Sequence, residues 1–112
     1  MRKQFEIPKS FEIMGETYVI KREPDLIERL GTKDMVGCIE YDQGVIKIQE
    51  KTSTLNRSED SINCTYLHEV VHCVLHTMRY NKMNADEDFV DLFAGLLYQI
   101  LKTSEFEKGE KK

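Results

Sequence analysis

Apolar and polar residues alternate along the first half of the chain, and this period of two is typical of β-strands. Four segments follow the pattern: Phe11–Met14, Thr17–Lys21, Met35–Asp42 and Val45–Gln49. Gly15-Glu16 lies between the first two segments and Gln43-Gly44 between the last two, so the sequence predicts two hairpins. Asp25–Gly31 separates the hairpins and predicts a short helix that stops at its glycine.

In the second half, apolar residues recur every three to four positions, which is the spacing of amphipathic helices. A polar loop, 51–63, leads into a first predicted helix from about Ser61 to Arg79, and the candidate N-caps are Ser58, Ser61 and Asn63. A polar connection, 81–84, precedes a second predicted helix from about Ala85 to Lys102, and the segment 103–112 predicts a charged, frayed tail. Residues 1–102 are therefore expected to form one α+β domain, in which a small antiparallel or mixed sheet packs on two helices.

The second predicted helix has two distinct faces. Its apolar side carries Phe89, Leu92, Phe93, Leu96, Leu97, Ile100 and Leu101. Another face carries Glu87, Asp91, Ala94, Gly95 and Tyr98. A glycine within a helix costs about 1 kcal/mol relative to alanine, so its presence at position 95 indicates a role in packing. We therefore expect the small residues at 94 and 95 to let a neighbouring helix approach closely.

Composition narrows the class of protein. The chain has 112 residues, of which 40% are hydrophobic and 32% charged, as expected of one soluble domain. A formal net charge of −4 argues against a broad basic surface for nucleic acid, and no apolar run is long enough for a membrane span. No secretory leader is visible at the start, and the odd number of cysteines without C-x-x-C spacing favours reduced thiols in a cytoplasm. These cysteines are Cys38, Cys64 and Cys73.

His68-Glu69-Val70-Val71-His72 fits the H-E-x-x-H pattern of zinc hydrolases and lies in the first predicted helix. Residues four apart share a helix face, so both imidazoles can bind one zinc ion, while Glu69 lies where it can take a proton from water. Cys64, one turn before His68, is a further candidate for facing the metal, although a small buried side chain is the favoured interpretation. The alternative for the motif is a core helix whose histidines are merely hydrogen-bonded polar groups.

A catalytic zinc needs a third protein ligand, which should come from a neighbouring element. The second predicted helix begins with Asp86, Glu87 and Asp88, and Glu87 shares its face with Asp91. We expect Glu87 to be the third ligand, with Asp86 and Asp88 as alternatives. Asp91 is expected to accept the free N–H of a ligand histidine. Acidic residues are favourable in the first turn of any helix, so alone they would indicate only a cap.

H-E-x-x-H followed on a second helix by E-x-x-x-D resembles the pattern of the gluzincin metallopeptidases, whose shortest members, the minigluzincins, are about this size. Glu87–Ala94 is also similar to the helix E-x-F-V-x-x-[LF]-A of small phage- and prophage-type metallopeptidases. These are related in style to the ImmA/IrrE-like and SprT-like groups. The resemblance covers roughly Val36 to Leu101 and implies a zincin-like fold.

The resemblance also implies the parts of a site. It implies Zn²⁺ bound by His68, His72 and Glu87, with Glu69 as general base and Asp91 supporting a ligand. It further implies that an edge strand, expected near Val45–Gln49, pairs with an extended peptide. Larger gluzincins carry a further domain whose His or Tyr stabilises the oxyanion. Within this chain the candidates for that role are Tyr80, Tyr98 and His76.

The predicted function is hydrolysis of peptide bonds by a zinc peptidase in the cytoplasm of a bacterial host, with a phage gene as one source. Its partner would be a peptide or protein, and no membrane or direct nucleic-acid contact is expected. The alternative is a catalytically idle zinc-binding domain that serves as an interaction module of a phage or mobile element. The oligomeric state stays open, because an exposed edge at Val45–Gln49 could pair with another copy.

Overall fold

Four strands form one mixed sheet in the computed structural model, which describes residues 5–31 and 36–107. They are β1 (Ser10–Ile13), β2 (Glu16–Glu23), β3 (Gly37–Glu40) and β4 (Val45–Gln49), in the spatial order β1-β2-β4-β3. β1 and β2 pair antiparallel, as do β3 and β4, whereas β2 and β4 run parallel. Both predicted hairpins are therefore present. Met35, which was expected to begin the third strand, lies outside the described residues.

The turns of both hairpins use left-handed backbone conformations. Met14 (φ 49°) and Gly15 (φ 82°) form the two-residue loop between β1 and β2, as in a type I′ turn. Gly44 (φ 65°) closes the turn between β3 and β4. A Cβ added there would lie 2.5 Å from the carbonyl oxygen of Thr17, so only glycine fits.

β4 lies inside the sheet, and the expectation that Val45–Gln49 forms an exposed edge is wrong. β2 pairs with one side of β4 and β3 with the other, so its backbone groups are engaged on both sides. This arrangement arises because the chain passes from β2 through the short helix α1 (Leu26–Leu30) to β3 at the far edge of the sheet. β4 then turns back between β3 and β2, antiparallel to β3 and parallel to β2. The edges of the described sheet are β1 and β3.

The second half of the chain forms α2 (Glu59–Met78), α3 (Asn81–Asn84) and α4 (Glu87–Thr103). Ser58 caps α2, since its Oγ accepts the Ser61 amide at 3.0 Å, and Asp86 caps α4 by accepting the Phe89 amide at 3.1 Å. The connection predicted over 81–84 is thus a single helical turn. Residues 108–112 of the predicted tail lie outside the described residues. No helix in the described ranges is long and apolar enough to cross a membrane.

α2 lies between the sheet and α4, and it is buried around most of its circumference. The core joins Ile46 and Ile48 of β4, both fully buried, to apolar residues of α2 such as Ile62 and Val71. This small mixed sheet with packed helices confirms the α+β class. The position of α2 brings its H-E-x-x-H motif between β3 on one side and α4 on the other.

α4 buries the face predicted to carry its small residues and leaves its large apolar side exposed. Its buried residues are Val90, Ala94 and Tyr98, spaced four apart. Ala94 is 2% exposed, in agreement with the close approach expected there. Gly95 does not serve this approach, because a Cβ added to it would meet nothing within 4 Å.

Candidate metal centre

The side chains of His68, His72 and Glu87 converge on one point between α2 and α4. One candidate ligand atom from each residue lies within 4.8 Å of the others. Nε2 of His68 is 3.1 Å from Glu87 Oε1, and Nε2 of His72 is 3.3 Å from Glu87 Oε2. Two ligands of a tetrahedral zinc ion, each bound at about 2.0–2.1 Å, are separated by about 3.3 Å. The spacing and the N,N,O donor set therefore fit Zn²⁺.

Each imidazole is oriented through its other nitrogen. Nδ1 of His68 lies 2.9 Å from Asp91 Oδ1, and Nδ1 of His72 lies 2.6 Å from Asn84 Oδ1. A carboxylate and an amide oxygen only accept, so both Nδ1 atoms carry the hydrogen and both Nε2 lone pairs face the shared point. This is the arrangement by which proteins fix the tautomer of a histidine that binds a metal.

Glu87, rather than either acidic neighbour, meets the two histidines. Asp86 accepts the amide of Phe89 as the cap of α4, and this contact engages its carboxylate. Asp88 is not part of the described ligand group. One helical residue rotates a side chain by about 100°, which carries Asp88 away from the face of Glu87 and Asp91.

Glu69 is 8% exposed and lies under the β3 strand. A Cβ added to Gly37 would lie 2.7 Å from Thr65 Cγ2 and 3.0 Å from Glu69 Oε2, so the backbone of β3 lies directly against this carboxylate. Burial raises the pKa of the Glu69 carboxyl above its usual range, while positive charge on His68 or His72 would lower it. A partly desolvated carboxylate beside a metal position is well suited to accept a proton.

These groups line a cleft of about 700 Å³ between β3 and the N-terminal parts of α2 and α4. The cleft volume is in the range of small-molecule and peptide sites. Arg57 forms part of the wall, donating to the carbonyl oxygen of Gln49 at 2.6 Å and to Thr65 Oγ1 at 2.7 Å. Cys38 and Cys64 also line the cleft, yet neither belongs to the described ligand group. Burial raises the pKa of both thiols.

Tyr98, a predicted candidate for the oxyanion donor, does not line the cleft. Its hydroxyl donates to Asp60 Oδ1 at 2.6 Å and accepts from Asn63 Nδ2 at 3.1 Å, so it is engaged at the other end of α4. Tyr98 follows Asp91 by seven residues, or about 10 Å of helix. Tyr98 therefore supports the contact between α2 and α4.

His76 and Tyr80 are likewise absent from the cleft wall. The His76 ring stacks on Tyr41, with centroids 3.8 Å apart, and Tyr80 is 52% exposed just before α3. Continuing the histidine stripe of α2 by one more turn moves a side chain about 6 Å further from the metal position, which explains the misplacement of His76.

Two residues of the site escaped the sequence analysis. Asn84 lies in a segment that reads only as a polar connection, and nothing local links it to His72, twelve residues earlier. Arg57 lies in a polar loop, where nothing in the sequence distinguishes it from an ordinary exposed arginine. One signal could have found Asn84: it lies three residues before Glu87, the predicted third ligand. Residues this close in sequence to a ligand also lie close to the metal position.

Comparison with protein-family models, with curated proteins and with solved structures finds no match to this chain.

Proposed function

We propose that this chain is a zinc-dependent peptidase with a gluzincin-like site. The observation that carries the proposal is the convergence of two histidine Nε2 atoms and the Glu87 carboxylate within 4.8 Å. The buried Glu69 carboxylate in the same cleft adds the general base that hydrolysis requires. Residues His68 and His72 bind the metal together with Glu87, and Asp91 and Asn84 hold the imidazoles in place.

Zn²⁺ bound by these residues would supply a Lewis acid that makes water nucleophilic near neutral pH and polarises a peptide carbonyl. Glu69 accepts the proton of the attacking water on its carboxylate and delivers it to the departing amine. Burial raises the pKa of the Glu69 carboxyl, which makes its carboxylate the stronger base for the first of these transfers. The β3 backbone over Gly37 keeps the carboxylate in this position.

The substrate is an extended peptide that lies beside β3. β3 is an edge of the described sheet, and its residues Gly37 and Cys38 line the cleft. An added strand can hydrogen-bond to such an edge while its side chains reach alternate pockets. This position replaces the predicted pairing with Val45–Gln49, which β2 and β3 already enclose.

The test compares wild-type protein with Glu69→Gln after both are loaded with one equivalent of zinc. Each is incubated with a mixture of unstructured peptides, and cleavage is followed by mass spectrometry. We expect the wild type to cleave and the variant to bind zinc equally well but lose at least about 10³-fold in rate, because only the base is removed. Equal cleavage by both proteins would contradict the role of Glu69.

The same experiment addresses the second candidate function, a zinc-binding interaction module without catalysis. Zinc bound with the wild-type affinity by both proteins, and no cleavage by either, would favour that alternative. The large exposed apolar side of α4 is the observation that supports it, since such faces are used for association.

A further inference from the structure

Arg57 brings a permanent positive charge to the wall of the cleft. Among the described residues that line the cleft it is the only Lys or Arg. Its side chain is half-buried, and this burial lowers the pKa of the guanidinium, which still stays protonated near neutral pH. No carboxylate within the described ranges forms an ion pair with it. The described part of the chain therefore supplies no counterion for this partly buried cation.

Three hydrogen bonds to neutral acceptors hold the Arg57 guanidinium in place. Its Nη1 donates to the carbonyl oxygen of Gln49 at 2.6 Å. Its Nη2 donates to the carbonyl oxygen of Ser61 at 3.2 Å and to Thr65 Oγ1 at 2.7 Å. A guanidinium has five N–H donors, so the Nε hydrogen and one Nη1 hydrogen are without an acceptor in the described structure. The group is thus fixed before a ligand arrives, which lowers the entropy cost of binding to it.

The charges of the cleft are separated along its length. Arg57 lies beside the first turns of α2, whereas Glu69, Glu87 and Asp91 lie around the metal position. A negative group of a ligand is attracted to the arginine and repelled by the three carboxylates. The cleft therefore offers one favourable place for a ligand carboxylate, and that place lies to one side of the metal.

The distance between the two ends corresponds to a few residues of a peptide. Ser61 and Thr65, which hold the guanidinium, precede His68 by seven and three residues. At 1.5 Å per helical residue, the guanidinium lies about 5–10 Å from the level of His68 along α2. An extended peptide advances about 3.3 Å per residue, so this distance corresponds to about two or three residues.

We propose that Arg57 determines specificity by binding one carboxylate of the substrate, about two or three residues from the scissile bond. The carboxylate belongs to an acidic side chain or to the C-terminus of a peptide, since both present the same two oxygens. This inference rests on the proposed peptidase function and adds a substrate class to it, namely peptides with an acidic group on one side of the cleaved bond. A charge-assisted hydrogen bond in a partly buried site corresponds to a preference of about 10- to 100-fold over an uncharged amide.

Competition between paired peptides tests the preference. A set of unstructured peptides is prepared with Glu or Gln at one position at a time, and each pair is cleaved in one tube by zinc-loaded wild type. Mass spectrometry then gives the ratio of the two kcat/KM values, and a second set compares free with amidated C-termini. We expect a preference of about 10- to 100-fold for the charged member, at positions on one side of the cleaved bond only. Equal cleavage of both members at every position would overturn the inference.

Three variants connect the preference to Arg57. Arg57→Gln removes the charge, Arg57→Lys retains it, and Lys51→Gln removes an exposed charge of the same loop that does not line the cleft. We expect the ratio to fall close to one in Arg57→Gln, to persist in part in Arg57→Lys, and to equal the wild-type ratio in Lys51→Gln. Because both peptides compete for the same enzyme molecules, a loss of folded protein leaves the ratio unchanged. A wild-type ratio in Arg57→Gln would overturn the inference.

Binding to zinc-loaded Glu69→Gln separates this inference from the proposed function, because binding does not require cleavage. Fluorescence anisotropy compares the labelled Glu and Gln peptides, with Arg57→Gln added to the same background as control. We expect tighter binding of the charged peptide, and loss of this difference with Arg57→Gln. Such selective binding without cleavage by wild type would overturn the peptidase and leave Arg57 as a carboxylate-binding residue. Cleavage without selectivity would overturn the role of Arg57 alone, and neither binding nor cleavage of any peptide would overturn both.

Discussion

Asn84 provides a sharp test of the site, because the sequence pattern does not single it out and the structure gives it one specific task. Its Oδ1 accepts the Nδ1 hydrogen of His72 at 2.6 Å. The same amide hydrogen-bonds to Tyr41, a contact that acts against the increase of the Tyr41 pKa caused by burial. The amide is thus held from two sides, with its oxygen directed at the ligand histidine.

Asn84→Ala removes the acceptor and frees the His72 ring to rotate or change tautomer. A neutral hydrogen bond of this kind contributes about 0.5–1.5 kcal/mol net. Mutating a residue that hydrogen-bonds a ligand histidine typically lowers metal affinity by about 10- to 100-fold. Since His72 is only 14% exposed, water replaces the lost acceptor poorly, and we expect a loss of at least about tenfold, or 1.4 kcal/mol.

Asn84→Asp is the matched variant, because its carboxylate keeps an acceptor for His72 and can also accept from the Tyr41 hydroxyl. We expect its zinc affinity to equal or exceed that of the wild type, since a charged acceptor forms the stronger hydrogen bond. The assay is competition for zinc against a chromophoric chelator, with the exposed Asn81→Ala on the same short helix as control. Wild-type affinity in Asn84→Ala, or equal losses in Ala and Asp variants, would refute this reasoning.

Three further predictions concern stability. Gly95→Ala should raise the free energy of unfolding by about 0.8 kcal/mol, because the new Cβ meets nothing within 4 Å and alanine favours the helix; an unchanged or lower urea midpoint would contradict it. Gly37→Ala should lower the same quantity by about 1–3 kcal/mol, since its Cβ would lie 2.7 Å from Thr65 Cγ2; unchanged stability would show that β3 is not held against α2. Burial raises the Tyr66 pKa to about 12, so its contribution to stability is complete below pH 10 and is lost as the pH rises through 12. Tyr66→Phe should flatten this alkaline loss in thermal scans, and an identical pH profile would argue against it.

The helices and hairpins could be predicted because their signals are local. The H-E-x-x-H motif and its apolar spacing lie within one element, so α2 and the relative placement of His68, Glu69 and His72 follow from helix geometry. The choice of Glu87 could be predicted for a similar reason. This choice required only a carboxylate at the start of the second helix and a second helix that packs against the first.

The errors concern relations between distant segments. The interior position of β4 depends on which strand the chain returns beside after α1, and no residue of Val45–Gln49 encodes that choice alone. Tyr98 shares the face of Asp91, yet the rise of the helix carries it to Asp60, beyond the cleft. Asn84 reaches His72 only because the turn at α3 folds back onto α2.

The side of α4 that becomes buried also depends on its partner. The large apolar residues Leu92 and Ile100 would be assigned to a core by pattern alone. The short distance between α2 and α4 instead selects Ala94, whose small side chain admits the neighbouring helix. The sequence therefore contains both faces, and only the packing shows which one meets α2.

The measurement that tests the central claim most directly is the zinc content of purified protein, determined by mass spectrometry after loading and dialysis. Wild type is compared with His72→Ala and Glu87→Ala. The account predicts one zinc per chain in the wild type and a large loss of zinc in both variants, because each removes one of three ligands. A wild type that takes up no zinc, or variants that both retain it at wild-type affinity, would contradict the metal centre and the peptidase built on it.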